Sequence, residues 1–94
     1  MKIKDLPDGS KPRERMLKHG ASGLSDSELM AIILRTGTRN ENVVDVSNRL
    51  IAEHGLSKLF DCSLTELQEV KGIGPSKAMQ LLAMAELGKR YNSL

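Results

Sequence analysis

The sequence predicts an all-α protein, a compact bundle of about five helices preceded by an extended N-terminal arm. Apolar residues recur at the three- and four-residue spacing of amphipathic helices. The Ser-x-x-Glu pattern of a capping box begins two of these apolar runs, at Ser25 and Ser63. Gly20 and Gly55 follow two further runs, at positions where glycine commonly ends a helix.

The first half of the chain contains three of the predicted helices. Residues 1–10 combine apolar anchors with turn-forming residues and are interpreted as the arm. A short helix over residues 12–19 follows, then one over 24–35 that begins with the first capping box, then one over 41–54. The residues expected in their core are Ile32, Ile33, Leu34, Val43, Val46, Leu50 and Ile51.

The second half is predicted to form a helical hairpin. Residues 56–61 read as a single turn that places Leu59 and Phe60 inward. The first hairpin helix follows Ser63, and the second covers residues 75–90. Since the second is apolar nearly all round, we expect it to be the central helix of the bundle. The expected buried stripe of the first hairpin helix is Leu64, Leu67 and Val70.

Length and composition indicate one small intracellular domain. Ninety-four residues can bury a modest core. We divide the domain into a basic arm with a short helix, residues 1–23, and a helix-hairpin-helix bundle, residues 24–94. Because Cys62 is the only cysteine, the chain cannot form an internal disulfide, which is consistent with a reducing compartment. No apolar run reaches transmembrane length and the start is too polar for a signal peptide, so we expect a cytoplasmic protein without membrane contact.

Positive charge is concentrated at both ends of the chain. The formal net charge of +2 divides into +3 for residues 1–20, −4 for residues 21–70 and +3 for residues 71–94. The two basic ends would form one electropositive face if the fold brings them together, although scattered solvated charge explains the N-terminal segment equally well. Phe60 and Tyr91 are the only aromatic residues, which argues against a stacking surface for single-stranded nucleic acid.

The stretch between Val70 and Ala78 carries the strongest functional signal. Two glycines bracket Ile73, and Pro75 suits the first position of the helix that follows. The free amides of that first turn, with the positive end of the helix dipole, form a site for a phosphate oxygen. Lys77 is a cation where the dipole disfavours one, which indicates a nearby anion. The pattern resembles the helix-hairpin-helix motif, which in many proteins binds the DNA backbone without sequence preference.

We therefore predict that the hairpin binds a DNA phosphate, with Ile73 pointing inward. A tight structural turn, or a hairpin that binds protein, is the alternative. Helix-hairpin-helix motifs often hold a monovalent cation under their carbonyl groups. The sequence does not decide whether this hairpin binds one. The predicted phosphate-binding residues are Lys71, Gly72, Ile73, Gly74, Ser76 and Lys77. Additional contacts to DNA or to a partner are expected from Arg13, Arg15, Lys18, Arg35, Thr36, Gly37 and Thr38.

The two capping boxes begin a weak internal repeat. The segment from Ser25 to Gly37 is similar to the segment from Ser63 to Gly74. Tandem helix-hairpin-helix domains pair two such units, and here the first would be a degenerate scaffold because it lacks the second glycine. Generic helix capping would produce the same similarity, so both interpretations stay open.

Several separated motifs cover nearly the whole chain. They are Leu6-Pro7, Pro12-Arg13-Glu14-Arg15, Leu24-Ser25-Asp26-x-Glu28-Leu29, Leu34-Arg35-Thr36-Gly37-Thr38, Gly72-Ile73-Gly74 with Lys77-Ala78, and Glu86-Leu87-Gly88-x-Arg90. In this order and spacing they resemble the N-terminal domain of the RadC family, also designated UPF0758, bacterial proteins traditionally labelled as DNA repair proteins. The resemblance implies a helical domain and an association with DNA repair.

In that family the helical domain precedes a second domain, which resembles JAMM-type zinc metalloproteases with a His-x-His signature and a downstream Ser and Asp. Here His19 and His54 are far apart and the sequence stops at Leu94, so we interpret it as a fragment without the catalytic domain. The resemblance implies zinc only in that absent domain, which would be a partner in cis. The chain itself is predicted to have no catalytic or metal-binding residues and not to be an enzyme.

Two hypotheses follow. The first is a sequence-nonspecific DNA-binding module. The second is a protein-interaction or regulatory domain for the metalloprotease-like domain, without DNA binding, for which residues 35–38 would be an equally good contact site. A glycosylase-type enzyme is a weaker third, since Glu86 is the only carboxylate residue after the hairpin. The sequence predicts no oligomeric state.

Overall fold

The computed structural model describes residues 10–94, which form five α-helices and one 3-10 turn, with no strand in that range. The all-α class is therefore confirmed. The predicted arm lies outside the described residues except for Ser10, which begins the first helix two residues earlier than predicted. The helices are α1 (Ser10–His19), α2 (Asp26–Leu34), α3 (Val43–Asp61), α4 (Leu64–Gln68) and α5 (Pro75–Asn92), and the 3-10 turn is Ala21–Gly23.

The chain divides into two compact units, one up to Glu53 and one from His54 to Leu94. In the first unit α1 packs against α2 and against the 3-10 turn. Gly20 ends α1 as predicted: its φ is 77°, and its N–H donates to the carbonyl oxygen of Met16 at 2.7 Å. The division predicted after residue 23 stays a prediction.

The first capping box is formed as predicted and fixes the start of α2. Oγ of Ser25 accepts from the amide of Glu28 at 3.2 Å, and the Glu28 carboxylate accepts from the amide of Ser25 at 2.9 Å. The prediction that Ile32 and Ile33 belong to the core was wrong in part, because both are only half-buried. The helical period instead places Met30, Ala31 and Leu34 on the buried face.

The third helix begins at Val43, two residues later than predicted, because Asn42 caps it. Oδ1 of Asn42 accepts from the amide of Asp45 at 2.7 Å. Regular helical geometry stops at Gly55, where φ is 77°, as predicted, and the helix resumes as far as Asp61. The predicted core residues Val43, Val46 and Leu50 are buried, Ile51 is half-buried, and Ser47 is also buried.

In the second unit α4 packs against α5. The second capping box is also formed, with Ser63 Oγ and the Glu66 amide 3.1 Å apart. Leu59 and Leu67 are buried as predicted, and Phe60 is half-buried. The predicted stripe is wrong at Leu64, the first residue of α4, which is exposed, and wrong in part at Val70, which is only half-buried.

The expectation that α5 is a central, fully buried helix was wrong. Only Ala78 and Leu81 are buried on it, and it ends at Asn92, two residues later than predicted. The five-residue α4 is its main packing partner in the second unit and is too short to cover more than one face. Large apolar side chains remain exposed on α5 at Met79, Met84, Leu87 and Tyr91.

Candidate nucleic-acid interface

The turn between α4 and α5 forms the predicted hairpin. The amide of Val70 donates to the Leu67 carbonyl at 3.1 Å, and the amide of Ile73 donates to the Val70 carbonyl at 3.0 Å. Gly72 lies between them with φ at 95°, a conformation that favours glycine. The Ile73 side chain is 3% exposed, so its predicted inward position is confirmed. The hairpin is thus anchored by one apolar side chain and two backbone hydrogen bonds.

Gly74 follows this anchor and forms the N-cap of α5. Its φ of −91° and ψ of −173° are extended, and its carbonyl accepts from the amide of Ala78 at 2.9 Å. The sequence interpretation gave both glycines access to positive φ, but the structure uses it only at Gly72. Apart from its chain neighbours, a Cβ built on Gly74 would have no atom of residues 10–94 within 4 Å. The described residues therefore leave this side of Gly74 open.

The start of α5 differs from the starts of α2, α3 and α4. Those three helices have a capping side chain, from Ser25, Asn42 and Ser63 respectively, whereas Gly74 provides none. Each of the three also has an acidic residue in its first turn, and α5 has none. Both differences leave the positive end of the α5 dipole uncompensated by its own first turn.

Cationic and hydroxyl side chains surround this helix start in the sequence. Lys71 and Ser76 are exposed, and Lys77 is half-buried in the first turn of α5. Both lysines interact within the protein, so neither lacks an intramolecular partner. All of the predicted phosphate-binding residues lie within one turn and the beginning of one helix.

The predicted contact residues on α1 belong to the first unit. Arg13 and Lys18 are exposed. Arg15 instead has a structural role, because its Nε lies 2.5 Å from the carboxylate of Glu28 and its Nη2 donates to the Gly23 carbonyl at 3.4 Å. Since Glu28 also belongs to the capping box, Arg15 connects α1 with the start of α2.

The loop of residues 35–38 mainly builds the start of α3. Oγ1 of Thr38 accepts from the amide of Glu41 at 3.1 Å, and the Thr38 amide donates to the Glu41 carbonyl at 2.8 Å. Gly37 packs so closely on this backbone that a Cβ would lie 2.7 Å from the nitrogen of Val43. Arg35 has φ at 69°, which is uncommon for a residue other than glycine, and its side chain is exposed together with that of Thr36.

Sequence reasoning missed an ion-pair network on α3. Arg49 Nη2 lies 2.9 Å from Glu41, and Arg49 Nη1 lies 3.6 Å from Glu53. The four-residue spacing of Arg49 and Glu53 is a recognisable helical pair. The contact between Arg49 and Glu41 spans the start of the helix, and no helical spacing in the sequence predicts it.

The sequence matches one known protein family over most of its length. Residues 3–79 match the model described as UPF0758 N-terminal. The chain belongs to the UPF0758 family. The resemblance identified from the separated motifs is therefore confirmed.

Curated UPF0758 proteins extend beyond the segment that this chain matches. The chain is 56% identical over 92 residues to a UPF0758 protein of Pelodictyon phaeoclathratiforme, and 52% identical over 93 residues to one of Clostridium botulinum. Each match covers 98% of this chain and 41% of the relative. The chain thus spans less than half the length of these relatives and corresponds to their N-terminal part. No solved structure matches it.

Among the described residues of this UPF0758 domain, no group of three His, Cys, Asp or Glu side chains is arranged to hold a metal ion. Within residues 10–94, no helix combines the length and apolar character needed to cross a membrane.

Proposed function

We infer that this UPF0758 N-terminal domain binds DNA without sequence preference, by holding a backbone phosphate at the start of α5. The amides of a first helical turn point toward the solvent, and the helix dipole favours an anion there. Lys71 and Lys77 add positive charge on either side of Gly74. The DNA-repair association rests on the family resemblance alone.

The observation that carries this proposal is the open space at Gly74. Its backbone angles suit any residue, and beyond its chain neighbours a Cβ there would contact none of the described residues, so the described part of the fold does not require glycine. A serine at an N-cap stabilises a helix by only roughly a few tenths of a kcal/mol relative to glycine, and this fold uses serine caps at Ser25 and Ser63. A bound phosphate oxygen would take the place of the missing cap and would need the space that a side chain fills.

Affinity is expected to be weak and dependent on salt. Phosphate contacts position a protein on DNA but read no bases. Nonspecific binding at physiological salt has dissociation constants of about 10⁻⁴–10⁻⁶ M, and each phosphate neutralised contributes roughly −0.9 to the slope of log K against log salt. A hairpin that holds one phosphate with help from two lysines should have a shallow slope of about −1 to −3.

The decisive variant is Gly74→Ser. Its hydroxyl should cap the amides of the first turn as Ser25 and Ser63 do, so the domain becomes more stable while the phosphate site is occupied by its own side chain. We expect the urea midpoint to rise and DNA affinity to fall at least about fivefold, which corresponds to ~1 kcal/mol. Fluorescence anisotropy with duplex, single-stranded and branched DNA over a salt series measures the affinity.

A pair of charge variants provides the matched control. Lys77→Gln and Lys89→Gln remove the same charge from opposite ends of α5. The hairpin proposal predicts a loss of affinity at position 77 and little change at position 89. Equal losses of DNA affinity in the two variants would indicate that binding depends on overall charge and not on the hairpin. Unchanged affinity in Gly74→Ser, or absence of binding to all three DNA forms at low salt, would contradict the proposal.

A further inference from the structure

The far end of α5 carries an apolar surface outside the hairpin. Met84, Leu87 and Tyr91, here called the α5 stripe, are spaced by three and four residues and so share one face of the helix. Their exposed fractions are 44%, 63% and 75%. Leu87 follows the buried Ala78 by about two and a half turns and therefore faces the opposite side of the helix. Met84 is about 60° round the helix from the buried Leu81, so the stripe adjoins the packed face at Met84 and is farthest from it at Leu87.

The composition around the stripe is typical of a docking surface. Glu86 and Arg90 form an ion pair at 3.1 Å on the same two turns, so polar groups border the apolar residues. A tyrosine on an exposed helix face is an amphipathic contact residue of the kind enriched at interfaces. Contiguous exposed apolar groups bordered by polar residues mark interaction sites on soluble proteins.

The family comparison places the stripe at the border of the N-terminal domain. The family model ends at residue 79, inside α5, whereas the matches to the longer relatives cover 98% of this chain and so include the stripe. More than half of each relative lies beyond the matched part. The stripe is therefore on the segment that leads from the N-terminal domain to the remainder of these proteins.

The position of the stripe favours an intramolecular contact over a dimer of this chain. It lies next to the point from which the longer relatives continue. A covalently connected partner needs less area, because a short tether raises its effective concentration to about the millimolar range. A small apolar stripe next to the connection suits an intramolecular contact.

We propose that the α5 stripe is the surface on which the C-terminal part of the longer UPF0758 proteins packs. The site and its partner are distinct from the DNA site at the start of α5, so either proposal stands or fails without the other. In an 18-residue helix, Ser76 and Tyr91 are separated by roughly 22 Å along the axis.

Cysteine accessibility tests this packing. The chain is compared with a chimera in which the remainder of the Pelodictyon phaeoclathratiforme relative follows it. In a Cys62→Ala background, Leu87→Cys probes the stripe, and Glu86→Cys, about 100° further round the helix, is the matched control. We expect a thiol reagent to modify position 87 at least about tenfold more slowly in the chimera than in the 94-residue chain, with less than about threefold change at position 86.

Equal rates at position 87 in the two proteins would overturn the proposal. If position 87 in the 94-residue chain became more protected as the protein concentration rose, the stripe would be covered by a second copy of the chain. That result would overturn the proposal. Leu87→Lys provides an independent readout. Because Leu87 is exposed in the 94-residue chain, the substitution should hardly change the thermal midpoint of that chain. In the chimera, the same substitution should lower the thermal midpoint. An unchanged midpoint in both would also contradict the packing.

Discussion

Gly72 and Gly74 are separated by a single residue, yet only Gly72 has a backbone conformation that favours glycine. Its φ is 95°, whereas φ at Gly74 is −91°. Ile73 between them is buried, so the turn is fixed by its side chain and by Gly72. At Gly74 the backbone conformation does not require glycine. A bound partner would be the reason for a glycine there.

Alanine substitutions should separate these two roles. Gly72→Ala forces a side chain into positive φ and should lower the free energy of unfolding by about 1–2 kcal/mol. In Gly74→Ala the new Cβ meets none of the described residues beyond its chain neighbours, and the free energy of unfolding should fall by less than about 1 kcal/mol, the difference between glycine and alanine as N-caps. Urea denaturation measures both. Equal destabilisation would mean that Gly74 also has a structural role.

The capping boxes should make the domain sensitive to acid. The amide of Ser25 lowers the pKa of Glu28, with Arg15 adding to the effect, and the amide of Ser63 lowers the pKa of Glu66. A carboxylate whose pKa is lower in the folded state stabilises the fold above its unfolded pKa, and this contribution is lost as the pH falls through the folded pKa. The urea midpoint should therefore decrease between about pH 6 and pH 3.

Glu66→Gln tests this origin of the pH dependence. The glutamine oxygen still reaches the Ser63 amide, because glutamine also occurs in capping boxes, but it does not titrate. The variant should lose less stability than the wild type over the same pH range. A pH profile identical to that of the wild type would show that the Glu66 box does not contribute.

Features that depend on neighbouring residues could be predicted from the sequence. Both capping boxes, the helix end at Gly20 and the interruption at Gly55 follow from hydrogen bonds and backbone angles within a few residues. The inward position of Ile73 followed from the tight turn that contains it. For the candidate site, the sequence therefore identified the hairpin and its residues.

Features that depend on contacts through space could not be predicted. The apolar composition of α5 suggested burial, but burial also depends on whether other helices cover it, and α4 covers one face. Arg15 looked like a free cation because Glu28, its partner, is 13 positions away in the chain. Gly37 looked like a surface loop residue, although the start of α3 packs directly on it.

Substitutions in α1 should distinguish a structural arginine from one available to DNA. Arg15→Gln removes the contacts with Glu28 and Gly23 and should lower the thermal midpoint. Arg13→Gln should leave the midpoint unchanged, and if α1 extends the DNA footprint it should reduce the salt slope by roughly 1. Thermal denaturation and the anisotropy salt series measure these effects. An unchanged slope in Arg13→Gln would exclude this residue from the footprint.

Gly37 tests whether the loop of residues 35–38 is part of the architecture or a free contact surface. In Gly37→Ala the new Cβ would lie 2.6 Å from the carbonyl carbon of Asn42 and 2.7 Å from the nitrogen of Val43. Both atoms are backbone at the start of α3 and cannot move without disturbing the helix, so the free energy of unfolding should fall by about 1–3 kcal/mol. Gly88→Ala is the control. Gly88 lies within α5, and apart from its own helix its Cβ would meet no atom of the described residues, so the variant should stabilise the domain by roughly 0.5–1 kcal/mol. Urea denaturation compares the two variants. If Gly37→Ala were as stable as the wild type, the backbone around residue 37 would have to move without loss of stability. The loop would then not be a fixed part of the architecture, and the hypothesis that residues 35–38 bind a partner would be as strong as the hairpin hypothesis.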